Sequence, residues 1–396
     1  NVSNCKFDGV WKESVKITGK TRDIKFDNLT INNSLVLNES DKPYKNYSQW
    51  LTYSEMKRVP HPYLLDFSTR PKWSYVMGIE LESMLDTYLR YGGDSIINYL
   101  KEYPETMIDD KGNVTGYAYK DFNLDNIRTA KFILRMQNIA PRQGNEKALK
   151  TFFKQLVNQP RTKEGVYWHK AIYANQVWLD GIFMGLPFYT NYAAQNLPAK
   201  KAVKVFDDVV DQIVKTDKRT YDKATGLWKH AWDETHSQFW ANKENARRKE
   251  VVDLLNKAMG AVVKCQDKNT GVWYDVLDVK DPKNYLESTA SAMFAYCLLK
   301  GHRKGYLNDS YLQAGIKAYK GIVNRFVRVN SDKTISLTDC CSVSGLGPGP
   351  GPYVKKPNYK RDGSFEYYMS EPVRDNDAKG VGPFIWASLE MEQMGK

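Results

Sequence analysis

The sequence contains few residues of the kinds that bind metal ions or cross-link small domains. Its 396 residues include only five cysteines and five histidines. The cysteines are Cys5, Cys265, Cys297, Cys340 and Cys341. Their spacing matches no metal-ligand pattern, and a chain long enough for a large core does not need a disulfide framework. We therefore expect neither a metal site nor a structural set of disulfides.

The sequence also lacks a signal peptide and any hydrophobic run long enough to span a membrane. The chain begins at Asn1 rather than at a methionine, which is what removal of a leader would leave. We therefore predict a periplasmic or secreted bacterial protein without a membrane span, and we keep a cytoplasmic location as the alternative.

Acidic residues are fewer than basic ones. The chain has 46 Asp and Glu and 58 Lys and Arg, which gives a formal net charge of +12. Such an excess suggests an acidic partner, which is a nucleic acid, an anionic lipid surface or a uronic-acid substrate. The basic residues are scattered over predicted helix faces, for example at Lys200, Lys201, Lys204, Arg247, Arg248 and Lys249. They form no nucleic-acid-binding motif, so we assign most of them to solvated surface and expect no nucleic-acid partner.

Aromatic residues, in contrast, are abundant, with 10 Trp and 26 Tyr. Aromatic faces stack on the apolar faces of sugar rings, and their polar edges serve sugar hydroxyls. Large cores use the same side chains, so the composition alone leaves both a sugar site and simple core packing open.

Helical segments with a charged face alternate with more apolar helical segments from Tyr47 onward. The first kind is predicted near residues 46–58, 94–108, 146–159, 201–219, 247–266 and 311–327, and the second near 73–92, 124–136, 174–193, 287–301 and 375–394. A helix that is apolar nearly all round is buried, whereas one with a charged face is peripheral. Alternating outer and inner helices predict an all-α (α/α)6 toroid over 46–396, preceded by an extended N-terminal arm over 1–45.

Turn loops that combine Gly with an aromatic residue recur four times along the chain, and three of the four lead into an inner helix. They occur at Gly116-Tyr117, at Gly165 to Trp168, at Thr225 to Trp228 and at Thr270 to Trp273. This repeat collects the aromatic residues of the loops, together with the first turns of the inner helices, at one end of the predicted toroid. Asp125 and Asp180 lie in two of those first turns.

The fourth inner helix is absent from the pattern. After TGLWKHAWDETHSQFW, the chain passes through the polar run ANKENARRKE directly into the next outer helix. A toroid without one inner helix would expose apolar surface. We therefore predict that a segment of roughly 25 to 35 residues is missing near 243–246, with a true deletion as the alternative.

Two acids stand out as candidates for catalysis. Asp180 is the single charged residue in a helix-length apolar segment, where loss of hydration would raise the pKa of its carboxyl group, as a general acid working near neutral pH requires. A structural aspartate is the alternative. Asp125 is the second candidate, and a helix N-cap is its alternative role.

Eight motifs together resemble the unsaturated rhamnogalacturonyl hydrolases of glycoside hydrolase family 105, which are related to the unsaturated glucuronyl hydrolases of family 88. The motifs are RPKWSYVMGIEL (70–81), NLDNI (123–127), YWHK (167–170), QVWLDGIFMGLPF (176–188), HAWDETHSQFWA (230–241), TGVWYDVLD (270–278), YLESTASAMFAY (285–296) and EPVRDNDAKGVGPF (371–384). The resemblance covers most of the chain from about residue 47 to the end.

The resemblance implies a set of site residues and one departure from the family pattern. The catalytic acid/base falls on Asp180 and a second active-site acid on Asp125. The implied substrate-binding residues are His169, Trp178 and His230, and we add Trp168, Trp73 and Tyr75 as further candidates. Structural loop histidines and core tryptophans are the alternatives. The family also has an RxxGW-type motif on the fourth inner helix, which this sequence lacks, so part of the substrate site is not accounted for.

The chemistry that the resemblance implies is the hydration of a C=C bond. The substrate is an acidic oligosaccharide with a non-reducing 4,5-unsaturated uronic acid left by a polysaccharide lyase, such as Δ-uronyl-rhamnose from rhamnogalacturonan. The enzyme needs no metal and no cofactor. Two alternatives remain open: a sugar epimerase on the same toroid, which would need two opposed histidine bases, and a non-catalytic oligosaccharide-binding protein.

Overall fold

A computed structural model describes residues 30–31, 34–35, 37–235, 247–345 and 361–395 of the chain. Most of the predicted N-terminal arm lies outside these residues, as does the predicted missing segment near 243–246. The chain divides into two compact units. The first unit comprises Asn1–Arg58, Asp86–Tyr91 and Val262–Lys396, and the second comprises Val59–Leu85 and Gly92–Ala261.

The described residues form twelve α-helices. They are α1 Tyr47–Arg58, α2 Tyr75–Tyr91, α3 Asp94–Met107, α4 Asp125–Gln137, α5 Gln143–Val157, α6 Leu179–Asn196, α7 Ala199–Thr220, α8 Arg247–Lys264, α9 Ser288–Arg303, α10 Asp309–Phe326, α11 Phe365–Tyr368 and α12 Ala378–Gln393. Eleven of them match the predicted outer and inner segments, and α11 is a short addition. Within this part of the chain, no helix combines the length and the apolar character that crossing a membrane requires.

Short strands pair at the ends of several helices. They are β1 Thr30–Ile31, β2 Ser34–Leu35, β3 Gln176–Trp178, β4 Ala231–Asp233, β5 Trp273–Tyr274, β6 Leu286–Glu287, β7 Val327–Val329, β8 Ile335–Leu337, β9 Cys340–Cys341 and β10 Val373–Arg374. All five pairings, β1–β2, β3–β4, β5–β6, β7–β8 and β9–β10, are antiparallel.

The sixth helix begins later than the sequence predicted. The apolar pattern placed its start near residue 174, but residues 176–178 form β3 and the helix starts at Leu179. Val177 lies opposite Trp232 of β4 in this ladder. The backbone groups of β3 therefore bond to a strand more than 50 residues away, and this non-local pairing outweighs the helical pattern.

In the second unit, α2 and α4 approach each other closely. A Cβ atom at Gly78 would lie 2.5 Å from Oγ1 and 2.7 Å from Cα of Thr129, so only glycine fits there. The Thr129 hydroxyl donates to the carbonyl oxygen of Ser74 at 2.7 Å, which ties the start of α2 to the middle of α4. These contacts fix α4, and with it Asp125 at its first position.

A buried ion cluster also joins α2 to α4. Glu82 is 1% exposed, and its carboxylate contacts Arg128 at 2.7 Å, Lys131 at 2.8 Å and Arg135 at 3.1 Å. Burial raises the pKa of Glu82, but the three cations outweigh it and hold the pKa far below its usual range.

In the first unit, α9 packs against α10 and α12. Every residue of α12 from Ala378 to Met391 is buried except Lys379, as the apolar pattern predicted for an inner helix. Glu287 accepts from the backbone N–H groups of Thr289 and Ala290 and so caps α9.

Candidate active site

Asp180 lies in the first turn of α6, directly after β3. Its side chain is 37% exposed, and its Oδ2 lies 2.9 Å from Nε2 of His230. The β3–β4 pairing makes this contact, because His230 immediately precedes β4 and its carbonyl oxygen accepts from the N–H of Leu179 at 2.9 Å. Two residues that are 50 positions apart in the sequence are thereby held at hydrogen-bond distance.

The pKa of Asp180 is lowered, contrary to the sequence-based prediction of a raised pKa. Burial raises it, as predicted, but the hydrogen bond to His230 and the charges of His230 and His169 outweigh the effect of burial. The prediction was wrong because the apolar neighbours of Asp180 along α6 are visible in the sequence, whereas the histidines that face its carboxylate arrive from other segments.

Asp125 is the first residue of α4, and its carboxylate contacts two basic side chains. Oδ1 lies 3.2 Å from Nε2 of His169, and Oδ2 lies 2.7 Å from Nζ of Lys170. Burial raises the pKa of Asp125, but hydrogen bonds and charge from His169 and Lys170 lower it to a value below the usual range. The carboxylate does not cap α4, because Oδ1 of Asn123 fills that role by accepting from the backbone N–H of Asp125 at 3.0 Å. The helix-capping interpretation of Asp125 is therefore wrong.

His169 is the residue that both acids share. It is 2% exposed, its Nε2 contacts Asp125, and its charge acts on the pKa of Asp180. Its backbone N–H donates to the carbonyl oxygen of Gln176 at 2.9 Å, and its carbonyl oxygen accepts from the N–H of Leu124 at 3.1 Å. One short segment thus links the start of α4 to β3 and fixes the positions of both carboxylates.

Trp178 joins these residues through aromatic contacts. Its ring is stacked on that of His169, with ring centres 4.9 Å apart, and on that of Tyr173, at 5.2 Å. It also meets His230 edge-on, at 5.2 Å. The indole N–H donates to Oε1 of Gln176 at 3.2 Å. Much of the Trp178 ring is therefore used to hold the two histidines in place.

The structure brings together five of the eight predicted site residues: Asp125, Asp180, His169, Trp178 and His230. Trp73 is not one of them, since it is 5% exposed and stacked on Phe152 in the core of the second unit. Its indole N–H donates to the carbonyl oxygen of Asn126, so it supports the start of α4 from behind.

The other two predicted residues, Trp168 and Tyr75, lie in segments next to those that carry the site. Trp168 is half-buried, and its carbonyl oxygen accepts from the side chain of Gln159 at 2.9 Å. Tyr75 is half-buried at the start of α2. Both stay predictions as substrate-binding residues.

Lys170 and Tyr173 were missed as site residues. Lys170 lies inside the YWHK motif next to His169, and its Nζ is 5.6 Å from the ring centre of Tyr173. A cation beside a candidate active-site histidine was the signal in the sequence that could have identified Lys170. Among the described residues, no group of three or more His, Cys, Asp and Glu side chains is arranged to hold a metal ion.

Comparison with known proteins identifies the class of protein to which this fold and site belong. The profile of Glycosyl Hydrolase Family 88 matches residues 47–251 and 243–395, and the two matched segments overlap at 243–251. The protein is thus a glycoside hydrolase. It belongs to Glycosyl Hydrolase Family 88, and the predicted membership of the related family 88 and 105 group is confirmed.

Two solved structures and one curated relative illustrate the similarity. A family 105 glycoside hydrolase from C. acetobutylicum ATCC 824 is 33% identical, with a TM-score of 0.78 over 88% of this chain and 100% of that chain. An unsaturated glucuronyl hydrolase from Bacillus sp. GL1 is 13% identical, with a TM-score of 0.62 over 88% and 95% of the two chains, and shows the shared fold alone. Protein Atu3128 of Agrobacterium fabrum is 30% identical over 239 residues, which are 52% of this chain and 97% of that protein. The predicted (α/α)6 fold class is confirmed.

Proposed function

We propose that this glycoside hydrolase removes a non-reducing 4,5-unsaturated uronic acid from oligosaccharides by adding water to the C4=C5 bond. The observation that carries the proposal is the pair of carboxylates on the first turns of α4 and α6, both under the influence of His169. Family membership supports a glycosidase, and the net charge of +12 suits an acidic substrate.

The reaction starts with a proton transfer to carbon. C4 of the enol ether takes a proton from Asp180, and positive charge develops on C5 and the ring oxygen. Asp180, now ionised, takes a proton from a water molecule as the water oxygen bonds to C5. The resulting hemiketal opens to a ketone at C5, and the hemiacetal left at C1 releases the neighbouring sugar. One water is consumed, and Asp180 ends the cycle protonated.

This cycle needs a protonated Asp180, although its pKa is lowered in the free enzyme. Binding of the substrate raises this pKa, because the substrate carboxylate is a like charge beside Asp180 and favours the neutral form of the acid. His230, at 2.9 Å, is placed to pass a proton to Oδ2. Asp180 and His230 therefore act as a coupled pair rather than as two independent groups.

Asp125 is proposed to hold the sugar and to stabilise the developing positive charge. Its lowered pKa keeps it ionised, which both tasks require. Lys170 is held at 2.7 Å from Asp125 and is proposed to attract the carboxylate of the substrate. The positive charge of Lys170 is a candidate replacement for the part of the substrate site that the missing RxxGW-type motif would provide.

Within this class of substrates, the specific substrate that we propose is a Δ-uronyl-rhamnose unit of the kind found in rhamnogalacturonan fragments. It is supported by the motifs shared with family 105 and by the 33% identity to a family 105 structure. The epimerase alternative loses support, because His169 is 2% exposed and its Nε2 is engaged by Asp125. It is therefore not available as one of two opposed bases.

The test is turnover by the purified protein on lyase digests of several acidic polysaccharides. We expect release of the terminal unsaturated residue by the wild type and a loss of at least about 100-fold in Asp180→Asn, which removes the proton donor but keeps its shape. Asp208→Asn, which disrupts an ion pair with Arg161 away from the two acids, serves as the matched control. Near-normal turnover by Asp180→Asn would contradict the proposal.

A further inference from the structure

The mechanism above makes no use of Phe183, an exposed aromatic residue of α6. Phe183 is 42% exposed, while Gly181 and Gly185 on the opposite side of the helix are buried. It follows Asp180 by three positions, so the two side chains lie on the same face of α6, with Cβ atoms about 5–6 Å apart. Single exposed apolar residues are common, so the argument depends on this position rather than on exposure.

A buried cation supports the ring of Phe183. The guanidinium carbon of Arg128 lies 4.6 Å from the ring centre. Arg128 is 1% exposed and is itself held by Glu82 at 2.7 Å. Because Arg128 follows Asp125 by three residues on α4, this contact joins the two helices one turn beyond both carboxylates. The ring is thereby fixed in position, and it shares the solvent-facing side of α6 with Asp180.

We propose that Phe183 is the surface on which the unsaturated uronyl ring rests, and that it selects for this ring. The inference builds on the proposed function. The C4=C5 bond brings C4, C5, the ring oxygen and the carboxylate carbon close to one plane, so one region of the sugar is flat and apolar. A ring about 5 Å across that contacts Asp180 also reaches its i+3 neighbour.

Saturation of the sugar removes this fit. A saturated uronyl ring adopts a chair, in which hydrogens project from both faces and keep the ring further from a flat aromatic surface. Aromatic stacking depends on close, flat contact, so Phe183 favours the unsaturated sugar over its saturated counterpart. Phe183 is in this sense a specificity-determining residue, whereas the proton transfer remains with Asp180.

The test compares Phe183→Leu with Phe183→Tyr on an unsaturated uronyl disaccharide. We expect Phe183→Leu to raise KM about tenfold, and Phe183→Tyr to stay within about twofold of the wild type because it keeps the aromatic face. The control is Phe153→Leu, the same replacement at a ring that packs on Tyr189 and Tyr192 on the buried side of α6. It is expected to lower the melting temperature without changing KM.

Binding measured without turnover separates selection from catalysis. In the Asp180→Asn background, adding Phe183→Leu should weaken binding of the unsaturated disaccharide about tenfold and that of its saturated counterpart less than threefold. Equal losses for the two ligands, or an unchanged KM in Phe183→Leu, would overturn the inference. A wild type without activity on any unsaturated uronide would instead refute the proposed function, so the two failures are distinguishable.

Discussion

Binding of an acidic sugar beside Asp180 is expected to draw a proton into the site. The free enzyme holds Asp180 ionised, because His230 at 2.9 Å and the charge of His169 lower its pKa despite burial. A uronate carboxylate placed nearby adds a like charge, which favours the protonated acid. The perturbation is therefore ligand binding alone, with no chemistry required.

The size of the effect follows from the charge separation. Two unit charges about 4 Å apart at an effective dielectric constant of about 20 repel by about 4 kcal/mol, and charges about 6 Å apart at about 40 repel by about 1.4 kcal/mol. These energies favour the protonated acid in the complex by a factor of about 10 to about 1,000. The side chain of Asp180 is 37% exposed, so solvent screening favours the lower part of this range.

Titration calorimetry in buffers with different ionisation enthalpies measures the protons taken up. The ligand is a saturated uronyl disaccharide, which carries the carboxylate but has no C=C bond to hydrate. At a pH between the pKa of Asp180 in the free enzyme and its higher pKa in the complex, we expect a net uptake of protons on binding. The uptake should disappear in Asp180→Asn. A wild type that takes up no proton, or a variant that takes up as many as the wild type, would refute this account of how Asp180 becomes an acid.

Two further predictions concern Asp125 and Glu82. Asp125→Asn should lower kcat/KM at least about tenfold, because it removes a charge-assisted interaction worth about 1.5–3 kcal/mol. The melting temperature should change little, since Asn keeps the shape of the side chain and Asn123 caps α4. Unchanged kinetics would return Asp125 to a structural role. Glu82→Gln should cost about 3–5 kcal/mol of unfolding free energy at pH 7, since it leaves Arg128 buried without its counter-charge. Because the folded pKa of Glu82 is lowered, its contribution is complete above the ordinary pKa of 4.5 and is lost progressively as the pH falls from there towards the folded pKa. The difference between wild type and Glu82→Gln should therefore narrow in acid urea denaturation, and a constant difference down to pH 3 would contradict the assignment.

Much of the helical fold could be predicted from the sequence. The spacing of apolar residues marks both kinds of helix, and α2, α4, α9 and α12 begin within three residues of the predicted positions. Asp125 could be placed in the first turn of its helix for the same reason, and Asp180 could be placed near the start of its helix. The start of α6 could not, because it depends on the pairing of β3 with β4, and periodicity carries no information about a partner 50 residues away.

The electrostatics of the site could not be predicted from local sequence. The apolar surroundings of Asp180 along α6 indicated a raised pKa, and only the folded chain brings His230 to its carboxylate. The same holds for Asp125, which reads as a helix cap until Lys170 and His169 are seen to contact it. Trp73 illustrates the opposite error, since an aromatic residue in a family motif is indistinguishable from a core residue until its burial is known.

The most direct test of the central claim follows the C=C bond and the released sugar in the same reaction. The C4=C5 bond is conjugated with the substrate carboxylate and absorbs in the ultraviolet, so its hydration is visible as a loss of absorbance. We predict that the wild type loses this absorbance in a one-to-one ratio with release of the neighbouring sugar, and that the product carries deuterium at C4 when the reaction runs in heavy water. Release of the sugar with the absorbance retained would show ordinary cleavage of the glycosidic bond and would contradict the account.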